Sequence, residues 1–83
     1  MSYYVYVLYS PAFDRFYKGQ TKDLAGRLRR HNLGRERSTA PYRPWKLVGY
    51  VKKSTRSEAL ALERKLKNLS RDKLLQFILK NTN

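Results

Sequence analysis

The chain has 83 residues, and 19 Lys and Arg against six Asp and Glu give it a net charge of +13. A chain this short makes one small domain, residues 1–83, burying only about 60% of its unfolded surface. It has no cysteine, which excludes a disulfide framework, a thiolate metal site and a thiol nucleophile together.

Tyr3 to Tyr9 is rich in aromatic and β-branched residues, which predicts a strand. Tyr4, Tyr6 and Leu8 fall on one face of its pleat, and Tyr3, Val5, Val7 and Tyr9 on the other. Both faces are apolar, so this strand is expected at the sheet centre, covered on both sides. Ser10 to Arg15 is a turn, and Phe16 to Gln20 a second strand closing a hairpin. Gly19, near its end, allows a bulge or the close approach of another group. Thr21 is placed to cap a helix, with Asp23 in its first turn. That helix runs to about Asn32 and Gly34 ends it. Leu24 and Leu28 share its core face, while Arg27 and His31 share a neighbouring one. A basic loop follows, GRERSTAPYRP, from Gly34 to Pro44. Lys46 to Val51 is a third strand; Tyr42 and Trp45 before it are placed to stack on an unpaired base, or Trp45 is the core anchor of the strand. Thr55-Arg56-Ser57-Glu58 is a capping box, so a second helix starts there, burying Ala59, Leu62, Leu66 and Leu69. Ser70 caps a third helix with Leu74, Leu75 and Ile78 on its apolar side. The order β-β-α-β-α-α predicts a small α+β domain, a three-stranded antiparallel or mixed sheet flanked by helices.

A charge of +13 attracts polyanions and speeds encounter with them. Nucleic acid is the expected partner, with Lys18, Arg30, Arg35, Arg37 and Arg43 as candidate phosphate contacts. The basic residues are spread over loops and helices rather than set opposite one apolar stripe, which argues against a membrane surface. No basic segment followed by an apolar run opens the sequence, and no apolar stretch approaches about 18 residues. A cytoplasmic monomer with no membrane contact and no small-molecule cofactor is expected.

Chemistry on a phosphodiester needs an activated water, usually a divalent cation, and positive charge for the developing oxyanion. Asp14, Asp23, Glu36, Glu58 and Asp72 each have an ordinary turn, cap or loop position. Glu63 lies in mid-helix at the edge of the core face. It is either a metal ligand or one half of a helix pair with Lys67, four residues on. His31, the only histidine, is a surface or cap residue unless it works with Arg27, Tyr6 and Tyr17. All four handle protons or phosphate, and spacing alone does not make them converge.

The ordered set changes this reading. Tyr4-Val5-Tyr6, then ten residues, then Tyr17-Lys18-Gly19 resembles the paired signature tripeptides of the GIY-YIG nuclease superfamily. Thr21 and Asp23 leading a helix with Arg27 and His31, and SEALALERK around Glu63, fit the same pattern. PYRPWKLVGY resembles its short stand-alone bacterial branch. The likeness runs from Tyr3 to about Leu75. It implies metal-dependent DNA hydrolysis, one strand per site, by an endonuclease of DNA repair or recombination. Tyr17 would help activate the nucleophile, directly or through water on the metal. Tyr6 would line the site and hydrogen-bond a phosphate oxygen or that water. Arg27 would stabilise the pentacovalent phosphate, and His31 would be a second proton-handling or phosphate-binding group. Glu63 would hold a single Mg²⁺ or Mn²⁺. Tyr4 and Lys18 depart from the tripeptides at positions outside the chemistry. A late asparagine of the family pattern has two candidates here, Asn68 and Asn81. The runner-up reading is a DNA- or RNA-binding module that keeps the fold with little or no activity.

Overall fold

A computed structural model describes residues 2–81. Strand β1, Tyr3–Ser10, is followed by β2, Arg15–Thr21, and by helix α1, Leu24–Asn32. A short 3-10 turn, Ala40–Tyr42, precedes β3, Lys46–Lys53. Helices α2, Arg56–Lys67, and α3, Arg71–Lys80, complete the expected order. The sheet runs β2-β1-β3 and is antiparallel at both pairings, with a register irregularity between Val7 and Leu8 against β3.

β1 is central because both of its pleat faces are apolar, and each face closes its own core. Val5 and Val7 pack with Ala59, Leu66, Leu74 and Ile78 of α2 and α3. Tyr6 and Leu8 pack on the opposite side with Trp45, Tyr17, Leu24 and Leu28. One sheet therefore separates a layer of aliphatic side chains from a layer dominated by aromatic ones. The candidate tyrosines Tyr6 and Tyr17 lie in the aromatic layer, under α1 and the basic loop.

The caps follow local chemistry, with one correction. The cap of α1 is Asp23, whose carboxylate accepts from the Gly26 N–H. Thr21 sits outside the helix and holds the entry turn, its Oγ1 accepting from the Asp23 N–H at 3.1 Å. Asp23 wins because it stands directly before Leu24, where its carboxylate reaches the free N–H groups of the first turn and complements their positive end. Gly34 ends the helix region with φ +77°, as its missing Cβ permits. The Thr55–Glu58 capping box forms in both directions, and the Ser70 side chain accepts from the Lys73 N–H.

One expectation on α3 needs correcting. Leu74 and Ile78 are buried, but Leu75 is 39% exposed and lines a shallow apolar groove with Tyr9, Phe16 and Val48. Successive residues on a helix are about 100° apart, so Leu75 turns to the rim when Leu74 and Ile78 face the sheet. Asn81 caps α3: its amide donates to the Phe77 carbonyl at 2.8 Å, and its own carbonyl accepts from the Tyr50 N–H.

Candidate active site

Tyr6 stands opposite Gly19 in the β1–β2 register. A Cβ at Gly19 would lie 2.7 Å from the Tyr6 hydroxyl and 3.0 Å from the Tyr17 ring. The glycine is therefore the space that lets the Tyr6 phenol cross beneath the neighbouring strand. The hydroxyl ends at His31, whose Nε2 is 3.0 Å away. Both residues are 1% exposed. His31 reaches this point because α1 carries it inward on the turn after Leu28, opposite its solvent face.

The hydrogen-bond chain assigns the histidine tautomer. The Thr39 hydroxyl donates to the Glu36 carbonyl at 3.3 Å, so it accepts from His31 Nδ1 at 2.8 Å. Nδ1 then carries the ring proton, and Nε2 is the acceptor for the Tyr6 O–H. Burial lowers the pKa of His31; the Glu36 carboxylate opposes this, while Arg27 and Arg30 add to it. Burial also pushes the Tyr6 phenol far above its usual value. The neighbouring Tyr17 adds to the rise, and the Arg27 guanidinium opposes it. At neutral pH the pair is thus a neutral phenol donating to a neutral imidazole.

Tyr17 is half-buried at the mouth of this chain. Its ring centroid is 4.9 Å from that of His31 and 6.2 Å from that of Tyr6. Arg27, one turn before His31, is half-buried and within electrostatic reach of the Tyr6 hydroxyl. The fold therefore brings together four of the five expected residues: Tyr6, Tyr17, Arg27 and His31.

Glu63 stands apart. It belongs to α2, the helix covering the aliphatic face, and its carboxylate pairs with Lys67 at 3.2 Å. Among the described residues, no hydrogen bond or ion pair joins it to the tyrosines, Arg27 or His31. α2 nevertheless packs on β2, the edge strand that carries Tyr17 and Gly19, as well as on β1. The described residues hold no group of three or more His, Asp or Glu able to take a metal together. A cation here would have one protein carboxylate and otherwise water. That donor set suits magnesium, a hard ion that keeps most of its waters. The Glu63 side chain is 16% exposed and that of its partner Lys67 56%, so an ion would take the place of Lys67 at the carboxylate. Glu63 therefore fits a singly anchored ion.

Of the candidate phosphate contacts, Arg35 and Arg37 are exposed and Lys18 is half-buried. Arg30 is engaged with Glu36 at 2.9 Å, and Arg43 donates from Nε to the Ala40 carbonyl. Both still present a cation at the surface. Asn68 is the exposed C-cap of α2. Asn81 binds at β3, the edge of the sheet away from Tyr17, so neither asparagine joins the group.

Two residues of the site escaped the sequence. Thr39 is buried and orients His31, yet in sequence it is one polar residue in a basic loop. Asn32 holds both backbone groups of Trp45, accepting from its N–H at 2.6 Å and donating to its carbonyl at 3.1 Å. The Trp45 indole N–H in turn donates to the Thr39 carbonyl at 2.9 Å. Trp45 is thus the expected core anchor, and it also pins the loop residue that sets the histidine tautomer.

The family model of the GIY-YIG catalytic domain matches residues 2–76. The chain is also similar to a UPF0213 protein, BH0048 from Bacillus halodurans, whose structure was solved by NMR in solution. The two share 30% identity with a TM-score of 0.65, over 100% of this chain and 88% of that one. No curated protein gives a match. With its paired tripeptides, its β2-β1-β3 sheet and its match over residues 2–76, the chain belongs to the GIY-YIG family.

Proposed function

We propose that this protein is a metal-dependent endonuclease that hydrolyses DNA phosphodiester bonds, one strand at a time. The observation that carries the reading is the hydrogen-bonded chain Tyr6–His31–Thr39 with Tyr17 at its mouth. A folded core gains little from burying a phenol, an imidazole and a hydroxyl in series, since each must find a partner. Proton handling at a phosphodiester does use such a chain.

Tyr17 is the half-buried phenol at the mouth and helps orient and activate the attacking water. Tyr6 supports it from below, its oxygen fixed by donation to His31. His31 is kept neutral with Nε2 as acceptor, so it holds the Tyr6 hydroxyl in one orientation toward the site. Arg27 faces the charge that builds on the phosphate. Glu63 is the one carboxylate suited to hold Mg²⁺ or Mn²⁺, which when bound polarises the phosphate and makes water more acidic. The net charge of +13 recruits the polyanion.

The Glu63–Lys67 pair favours a second reading, a binding module that keeps the fold without the reaction. One assay separates the two. Labelled single-stranded, duplex and branched DNA are incubated with the protein, with Mg²⁺ or Mn²⁺ and with a chelator, beside Glu63→Ala. The nuclease reading expects cutting that needs the metal and is absent from the variant, while the variant's DNA binding is kept or strengthened. Binding without cutting on every substrate would establish the second reading.

A further inference from the structure

A row of aromatic rings runs from the candidate active site to the surface. Tyr17 meets Trp45 with 6.4 Å between ring centroids, and Trp45 meets Tyr42 at 6.5 Å. Tyr42 meets Phe13 at 5.3 Å, nearly perpendicular. There the row ends in water. Phe13 sits in the β1–β2 turn, is 51% exposed, and has Tyr42 as its one ring neighbour among the described residues. The Arg15 guanidinium lies over the Tyr42 ring, 4.2 Å from its centroid. Arg15 is exposed and, among the described residues, makes no ion pair. The loop that carries Tyr42 also presents Arg35, Arg37 and Arg43 at the surface.

An exposed phenyl ring and an exposed arginine, set among unneutralised cations, match one ligand chemistry. An unpaired base stacks its face on aromatic rings or guanidinium planes while its phosphates meet arginines. A paired base has its faces covered by its neighbours in the duplex and cannot use such a surface.

We propose that Phe13, Arg15 and Tyr42 form a stacking platform for an unpaired nucleobase, so that the preferred DNA carries a single-stranded segment beside the bond to be cut. The part about the cut rests on the nuclease reading; the platform itself does not. The test measures binding in a chelator, by fluorescence anisotropy, with a labelled single strand of about 12 nucleotides and a duplex of the same sequence. The proteins are the parent, Phe13→Ala and Arg15→Lys. Both positions are exposed, and thermal melting checks that the variants remain folded. Phe13→Ala is expected to weaken single-strand binding about 5- to 150-fold and to leave duplex binding unchanged. Arg15→Lys keeps the charge but loses the plane, so it is expected to shift the same preference in the same direction. Equal losses on both DNA forms, or no loss on the single strand, would overturn the platform. Cleavage with Mg²⁺ separates the two proposals. Cutting without any preference for unpaired strands removes the platform and leaves the nuclease. Selective binding without cutting does the reverse.

Discussion

Replacing Gly19 by alanine tests the geometry of the site with a single methyl group. The new Cβ would meet the Tyr6 hydroxyl at 2.7 Å, Tyr6 Cζ at 2.8 Å and Tyr17 Cε2 at 3.0 Å. None of these atoms is the loose end of a flexible chain. Tyr6 is 1% exposed and its hydroxyl is bonded to His31, so it yields only by breaking that bond. Overpacking a core by one carbon costs about 1–3 kcal/mol, and loss of the Tyr6–His31 hydrogen bond adds about 1 kcal/mol. The expected destabilisation is about 2–4 kcal/mol, a fall in Tm of about 10–25 °C for a domain of this size. Gly49→Ala is the control, because its Cβ would meet nothing closer than 3.5 Å, an ordinary contact. Thermal melts by circular dichroism, with cleavage measured well below the lower Tm, make the comparison. Gly19→Ala should melt far below Gly49→Ala and should lose cutting even where it is folded. If the two melt together and cut alike, the Tyr6 phenol does not lie beneath Gly19, and the site described here is wrong.

Other consequences are equally direct. Burial lowers the pKa of His31, so the unfolded chain takes up its proton first as pH falls through about 6.5. The stability from His31 is therefore complete above that pH and is lost on descent toward the folded value. Urea melts between about pH 7 and 5 should show this slope in the parent and not in His31→Gln; an unchanged slope in the variant would remove the assignment. Thr39→Val takes away the acceptor at His31 Nδ1 and leaves a buried N–H unpaired, at about 1–3 kcal/mol. Thr39→Ser should restore both stability and cutting, and failure of that rescue would mean that packing rather than the hydroxyl matters. Thr55→Ala removes the cap of α2 and should cost about 1 kcal/mol in chemical denaturation. Cleavage by this variant should stay normal, since no candidate site residue touches the cap.

How much of this was legible follows from how far each interaction reaches along the chain. The Thr55–Glu58 box and the Ser70 cap span three residues, so neighbouring residues suffice to specify them. The central position of β1 was readable because Val5 and Val7 on one face and Tyr6 and Leu8 on the other leave no side for water. The candidate residues Tyr6, Tyr17, Arg27 and His31 came from an ordered pattern, but no spacing rule brings them to one point. That took the β1–β2 register, which sets Tyr6 against Gly19, and the packing of α1, which turns His31 inward. Thr39 and Asn32 were invisible because their roles depend on partners 8 and 13 residues away, across a loop whose path the sequence does not describe. Sequence alone thus determined the elements, their order, the basic character and the family pattern, all set by local propensity, alternation and composition. Only the tertiary structure decided which layer each phenol occupies, which histidine nitrogen holds the proton, and that α2, which carries Glu63, covers the sheet face opposite Tyr6. Those outcomes depend on how separate segments pack in space.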